Sequence, residues 1–285
     1  MKTTKNKSSG YSIVFIFILI LTLAAGGILG WMTYQDYHTH KVARTEYINV
    51  INENVSPTET ADAIAKAITQ MDADMPLYPE RDVDWYGLKE TNKDYIGWLY
   101  FPFFGVTEED SFTLDYPIVY EHYANQYLRT TFEGTSNTAG CIFMDMKSNP
   151  SFFGYNDIIY GHHMRDKSMF GALEKVHQMD NLEYLKENPQ YLYVYTKTAC
   201  HKYVLVAYEQ VENSNNIAYG VASENSTYDQ LKENIRGLDT YMPSNDFTWK
   251  GRPEILNLST CDGPSGTSKR FILHFVKIMA YEYEE

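Results

Sequence analysis

The chain has 285 residues, of which 44% are hydrophobic and 15% aromatic, so it holds enough apolar side chains for one sizeable core and too many for a disordered protein. Its 37 acidic residues outnumber 24 Lys and Arg and leave a formal net charge of -13. Binding to DNA or RNA needs a surplus of Lys and Arg that neutralises phosphates. The composition therefore argues against a nucleic acid partner.

The N-terminal segment has the composition of a membrane helix. Residues 11–31 contain no charged side chain, and at about 1.5 Å per residue they are long enough to cross a hydrocarbon core of about 30 Å. Lys2, Lys5 and Lys7 precede them. The positive-inside rule then predicts that residues 1–10 are cytoplasmic and that the folded part is extracellular, behind a single-pass anchor in the cell membrane.

A cleaved signal peptide is the alternative for the same segment. Residues 13–23 would form its apolar region, and the small residues at 24–26 would form its cleavage site. The sequence leaves open whether the segment is cleaved.

Residues 32–88 predict a helical stalk or appendage ahead of the main domain. A helical periodicity of apolar residues runs through residues 61–68, after a Ser-Pro-Thr start. Pro76 and Pro79 end this pattern. Residues 89–285 form the main domain.

From residue 95 the pattern changes to short runs of β-branched and aromatic residues between turn residues. Only residues 169–176 and 228–235 have the pattern of helices, which is too little helix for regular βαβ crossovers. We therefore predict a mostly antiparallel β fold, namely a β-barrel with helical insertions. The eight predicted strands are residues 96–101, 116–120, 140–144, 157–160, 191–195, 202–207, 254–258 and 271–276.

Three cysteines, Cys141, Cys200 and Cys261, leave at least one thiol unpaired, and the sequence does not decide whether Cys141 and Cys200 pair. A small buried side chain is the ordinary interpretation of a Cys. Cys261 differs because residues 262–269, rich in Gly, Pro and Ser, join it as a hairpin loop to a strand that begins at Arg270. A guanidinium beside a thiol favours the nucleophilic thiolate. Cys261 is therefore our candidate nucleophile, and a core Cys beside a surface Arg is the alternative.

A second candidate follows the predicted strand at residues 157–160, where Gly161 precedes His162 and His163. Glycine permits a sharp change of direction there. Adjacent residues of an extended chain face opposite ways, so the two His cannot serve one metal or one substrate. The His and Cys residues show no zinc-ligand spacing, and we predict no metal site. Either His is a candidate acid or base for a nucleophile, and a structural His is the alternative.

These residues resemble the motifs of the sortases, membrane-anchored cysteine transpeptidases of Gram-positive bacteria whose catalytic domain is an eight-stranded β-barrel. The likeness rests on Tyr-Gly-His at 160–162 and on Leu-Ser-Thr-Cys at 258–261, with Arg270 on the next strand. Shorter matches extend it over about residues 85–280. The resemblance is closest to class B.

Two features favour class B. One is the helical appendage, and the other is the long connection at residues 211–249, which contains the helix predicted at 228–235. Cys141 departs from the pattern, which has a small residue such as Ser at this position.

The resemblance implies a role for each candidate. Cys261 would attack a peptide carbonyl and form a thioester, His162 rather than His163 would act as general acid and base, and Arg270 would stabilise the oxyanion and hold the peptide. This chemistry requires no cofactor. The positions that match the substrate groove of class B are Ser259, Asn125 and Leu128.

The resemblance also implies the partners. The substrates would be secreted proteins with a C-terminal sorting signal, and the acceptor would be an amine of the peptidoglycan cross-bridge or a pilin lysine. The sequence determines neither the sorting motif nor the acceptor, nor the oligomeric state.

Two alternatives remain open. The first is a cysteine peptidase that hydrolyses the thioester, and the second is a non-enzymatic surface β-domain whose Cys and His are structural. A papain-like protease has its Cys before its His, the reverse of the order here. Chymotrypsin-like cysteine proteases favour Gly on both sides of the nucleophile, unlike Thr260 and Asp262.

Overall fold

The computed structural model describes residues 9–56, 78–178, 182–220, 225–261 and 267–283, with positions 9–13, 225–226 and 261 described by their backbone alone. The chain forms two compact units, Met1–Ala43 and Arg44–Glu285.

The described residues of the first unit belong to α1 (Ser9–Asn54), which continues into the second unit. Large apolar side chains from Val14 to Tyr37 are exposed on this helix. Among the described residues it is the one helix long and apolar enough to cross a membrane, and its position near the N-terminus also suits a signal sequence. A helix that is apolar all round is typical of either.

Short elements connect α1 to the barrel in the second unit. Strand β1 (Val55–Ser56) pairs antiparallel with β2 (Asp82–Val83), and α2 (Trp85–Thr91) follows. The Asp84 carboxylate caps α2 by accepting a hydrogen bond from the Gly87 N–H at 3.0 Å. The appendage therefore includes a strand pair beside its helices. The helical periodicity predicted at residues 61–68 lies outside the described residues.

All eight predicted strands are present. They are β3 (Tyr95–Phe103), β4 (Phe112–Tyr120), β5 (Ile142–Met144), β6 (Asp157–Tyr160), β7 (Tyr191–Tyr195), β8 (Ala199–Glu212), β9 (Ile255–Cys261) and β10 (Lys269–Glu282). The strands close into a barrel in the order β10-β8-β7-β3-β4-β5-β6-β9, which confirms the predicted β-barrel with helical insertions.

Neighbouring strands of the barrel are antiparallel except for two parallel pairs, β4 with β5 and β6 with β9. The sequence indicated a mostly antiparallel sheet but gave no sign of these two pairs. These pairs matter for the site because the C-terminal ends of two parallel neighbours lie at the same end of a barrel.

The barrel interior is filled by aliphatic and aromatic side chains. Phe101 of β3 contacts Phe275 of β10 edge to face, with ring centroids 5.2 Å apart, and both rings are fully buried. Ile159 of β6 and Leu258 of β9, which are opposite each other in the parallel register, are also fully buried. This packing fixes the register of the two strands that carry the candidate site.

The insertions between strands are a 3₁₀ turn (Gly171–Leu173), α3 (Glu174–Gln178), α4 (Leu182–Glu187) and α5 (Asn225–Arg236). The first predicted helix begins at Gly171 rather than residue 169, because Met169 has a φ of 51° that no α-helix allows. The second is confirmed as α5. Its buried Tyr228, Leu231 and Ile235 pack against β8, β9 and β10.

Candidate active site

The C-terminal ends of β6 and β9 lie side by side because these strands are parallel neighbours. Tyr160 is opposite Ser259 in their register, and the Gly161 N–H donates to the Ser259 carbonyl at 3.2 Å. His162 and Cys261 each follow this pair by two residues. The fold therefore brings the predicted His and Cys positions to one end of the barrel on adjacent strands.

Arg270 approaches the same place from the other side of β9. In the antiparallel pair of β9 and β10, Arg270 is directly opposite Cys261, as the predicted hairpin requires. The half-buried Arg270 side chain donates from one terminal nitrogen to the carbonyl oxygens of Thr267 and Lys269, both at 2.8 Å. The position of Cys261 thus lies between those of His162 and Arg270.

A backbone carbonyl orients the ring of His162. Its Nε2 lies 2.6 Å from the carbonyl oxygen of Leu128. A carbonyl oxygen only accepts, so Nε2 carries the hydrogen and Nδ1 is the free base of the neutral ring. Burial and the nearby Arg129 lower the pKa of His162 below its usual value, although the Leu128 carbonyl opposes this.

The loop that carries Leu128 is held by one carboxylate. Asp94 accepts hydrogen bonds from the Tyr127 hydroxyl at 2.6 Å and from Gln126 Nε2 at 2.9 Å, and it lies 2.9 Å from His122 Nε2. Burial opposes ionisation of Asp94, but these hydrogen bonds outweigh it and lower its pKa. The position of the Leu128 carbonyl is therefore fixed by a charged cluster.

Asn125 and Ser259, predicted to bind substrate, have different surroundings. Asn125 is exposed on the same loop as Leu128, with a φ of 67°. Ser259 is buried on β9, and its hydroxyl lies 2.8 Å from the Tyr219 hydroxyl. The Tyr219 ring in turn stacks on Tyr160. Tyr219 therefore covers Ser259, two residues before Cys261.

The sequence model of the sortase domain family matches residues 110–277 of this chain, more than half of its length. The chain belongs to the sortase family. Its likeness is greatest to class B, and as a sortase it is a cysteine transpeptidase.

Two curated relatives carry the name sortase B. That of Listeria monocytogenes is 27% identical over 245 residues, which cover 85% of this chain and 88% of the relative. That of Staphylococcus aureus is 27% identical over 198 residues, covering 65% and 71%. The crystal structure of sortase B from Bacillus anthracis superposes with a TM-score of 0.58 at 22% identity and covers 86% of this chain and 99% of that one.

His163, which directly follows His162, has a different partner from His162. His163 Nε2 lies 2.7 Å from the Glu174 carboxylate, which also binds Lys167. Burial by itself would raise the pKa of Glu174, but the hydrogen bonds from Lys167 and His163 outweigh burial and lower this pKa. His162 and His163 thus face different groups, as their adjacency predicts, and His163 fastens the turn that follows β6.

Two of the three thiols of the sortase are poor nucleophiles. Cys141 and Cys200 are buried and unpaired. Burial raises the pKa of Cys141 to about 12 and also raises the pKa of Cys200, so both remain thiols near neutral pH. Position 261 ends β9, which is paired with the strand that leads to His162. Within the described residues, no group of three or more His, Cys, Asp and Glu side chains is placed to hold a metal ion.

The sequence pointed to His162 and Cys261 but missed the groups that support them. The Leu128 carbonyl, the Asp94 carboxylate and the Tyr219 hydroxyl have no local pattern that marks them, because each acts on a residue far along the chain.

Gly140→Ala tests the support behind the Leu128 carbonyl. The φ of Gly140 is 59°, and a Cβ there would lie 2.6 Å from the carbonyl oxygens of Tyr127 and Leu128. We expect the free energy of unfolding to fall by about 2–4 kcal/mol, from backbone strain plus overpacking, when measured by urea denaturation. Turnover of a sorting peptide should fall by roughly 10–100-fold because the carbonyl that orients His162 is displaced.

Gly134→Ala is the matched control. Gly134 has a similar φ of 83°, but a Cβ there meets no atom within 4 Å. It should lose only about 1–2 kcal/mol of stability and keep its turnover. Equal turnover in the two variants would contradict the role given to the Leu128 carbonyl.

Proposed function

We propose that this sortase cleaves a C-terminal sorting motif of secreted proteins through a thioester on Cys261 and transfers the acyl group to an amine. The observation that carries the proposal is the register of β6, β9 and β10, which brings the positions of His162, Cys261 and Arg270 together at one end of the barrel. These three residues match the sortase motif in identity and in chain order.

In the first step the Cys261 thiolate attacks the scissile carbonyl carbon, the C–N bond breaks, and the amine leaves with a proton from the imidazolium of His162. In the second step an acceptor amine attacks the thioester, His162 takes a proton from it, and the thiolate leaves. Because Nε2 is bound to the Leu128 carbonyl, Nδ1 is the nitrogen that carries the transferred proton. The lowered pKa of His162 makes its charged form a strong proton donor, although a minority form at neutral pH.

Arg270 would stabilise the oxyanion and hold the peptide, since its planar guanidinium donates in fixed directions and stays charged. Its hydrogen bonds to Thr267 and Lys269 support this by fixing the guanidinium to the end of the hairpin. Asn125, Leu128 and Ser259 would line the peptide groove. Because Tyr219 covers Ser259, a peptide bound at Ser259 would also contact Tyr219.

The proposed organisation of the chain is a cytoplasmic N-terminus (residues 1–10), a transmembrane anchor (11–31), a stalk or appendage (32–88) and an extracellular catalytic domain (89–285). The apolar surface of α1 between Val14 and Tyr37 and the lysines before it support this topology. The acceptor would then be an amine outside the membrane, on a peptidoglycan cross-bridge or a pilin lysine.

Cys261→Ala tests the nucleophile. We expect no turnover when the full chain in detergent is incubated with a panel of sorting peptides and amines, because no thioester forms. Cys141→Ser and Cys200→Ser are the controls and should keep activity, since burial keeps both of these side chains as unreactive thiols. Activity retained in Cys261→Ala would refute the proposal, and products that contain no added amine would show a hydrolase.

Arg270→Lys tests whether the site needs the directed hydrogen bonds of Arg270 or only its positive charge. Lys supplies the same unit charge but lacks the planar fork, and losing one oxyanion donor typically costs about 100–1,000-fold in rate. We therefore expect turnover to fall on the order of 100-fold while the pH dependence of Cys261 alkylation changes little. Urea denaturation checks that the hairpin stays folded. Near-normal turnover would mean that charge alone suffices.

Protease treatment of intact, wall-stripped cells tests the topology. The domain after residue 31 should be digested while a cytoplasmic marker protein stays whole, because the positive-inside rule places that domain outside. Protection of the domain would reverse the orientation. Mature protein that begins near Ile28 would establish a cleaved signal peptide instead of an anchor.

A further inference from the structure

A chain of buried hydrogen bonds runs from the backbone at Gly220 to Glu209. Asn156 Nδ2 donates to the Gly220 carbonyl, and Asn257 Nδ2 donates to Asn156 Oδ1. His274 Nδ1 lies 2.7 Å from Asn257 Oδ1, and His274 Nε2 lies 3.0 Å from Glu209 Oε1. All four side chains are at most 9% exposed. The network is thus isolated from solvent.

The backbone dictates the direction of each bond from Gly220 as far as His274 Nδ1. The carbonyl oxygens of Gly220 and Ala218 only accept, so Asn156 must present its amide nitrogen to them and its oxygen to Asn257. Asn257 must then present its own oxygen to His274, whose Nδ1 therefore carries a hydrogen. At the other end of the chain, His274 Nε2 faces the Glu209 carboxyl. Reversal at any one member would leave two acceptors face to face.

The network ends at the segment that covers the active-site strand. Ala218 and Gly220 flank Tyr219, whose hydroxyl reaches Ser259 on β9. Asn257 lies two residues before Ser259 on the same strand and is opposite His274 on β10. The network therefore ties this segment, residues 218–220, to the strand that ends in Cys261.

We propose that Asn156, Asn257, His274 and Glu209 are positioning residues, which fix segment 218–220 over β9 and so set the affinity of the sortase for its peptide. The inference rests on the proposed function, because it takes the groove beside Ser259 to bind substrate. A buried polar network whose every member is paired specifies one arrangement of the elements that it joins. An apolar residue at position 156 could pack but could not bind the Ala218 and Gly220 carbonyls.

Asn156→Asp breaks the network while keeping its shape, because it replaces the donor that faces the two carbonyls with an acceptor. In the full chain in detergent, we expect KM for a sorting peptide to rise about tenfold and kcat to stay close to that of the parent. Hydrogen exchange of peptides that cover residues 214–220 should become about tenfold faster. Asn156→Ala, which removes the donor without adding charge, should shift both in the same direction and serves if Asn156→Asp does not fold.

Gln190→Glu is the matched control. Gln190 is also a buried amide, and its Nε2 donates to the Asn188 carbonyl at 2.8 Å while its oxygen accepts from the Phe104 N–H. The same chemical change there should leave KM and the exchange of residues 214–220 unchanged, whatever it does to the melting temperature.

Three results would overturn the inference. Unchanged exchange in both Asn156 variants would show that the network does not hold the segment. Faster exchange with unchanged KM would show that the segment does not serve the peptide. An equal rise of KM in Gln190→Glu would show a general loss of stability. A parent enzyme that turns over no peptide of the panel would refute the proposed function, while the exchange measurement would still decide whether the network holds the segment.

Discussion

The parallel pairing of β6 with β9 is the contact on which the site depends. In a purely antiparallel barrel, neighbouring strands end at opposite ends, and residues two positions beyond each strand would be a barrel height apart. Here His162 and Cys261 follow the paired Tyr160 and Ser259 by equal steps. Fully buried Ile159 and Leu258 oppose a slip of this register, because a shift by one residue would exchange the core face for the outer face.

The pairing sets where His162 lies, and the polarity of the backbone sets which of its ring nitrogens is free. A side-chain partner such as a carboxylate would hold the ring too, but it would also stabilise the charged imidazolium. The Leu128 carbonyl is neutral, so it fixes the tautomer of His162 but stabilises the imidazolium less than a carboxylate would. Burial keeps the pKa of His162 low. The negative charge is on Asp94, which binds the loop that carries Leu128 and makes no direct hydrogen bond to the His162 ring.

Strand positions and the His, Cys and Arg candidates could be predicted because local patterns carry them: alternation of side chains, turn residues and short motifs. Strand lengths could not. β8 and β10 run well beyond the predicted residues, since their ends contain charged residues such as Glu209 and Lys277 that are buried by pairing rather than by apolar character. The parallel pairs, the Leu128 carbonyl and Tyr219 depend on long-range contacts, which no local window contains. Asn257 and His274 are polar residues, yet both are fully enclosed.

These enclosed residues hold the strand that ends at position 261. Positions 257, 259 and 261 lie on one face of β9, while Leu256 and Leu258 of the other face are buried in the core. Asn257 is fastened by Asn156 and His274, and Ser259 is fastened by Tyr219. The two polar side chains that precede position 261 on this face thus have their partners inside the protein. Chemistry that requires fixed distances is best supported by such neighbours, because misplacement by about 1 Å can cost on the order of 100-fold in rate.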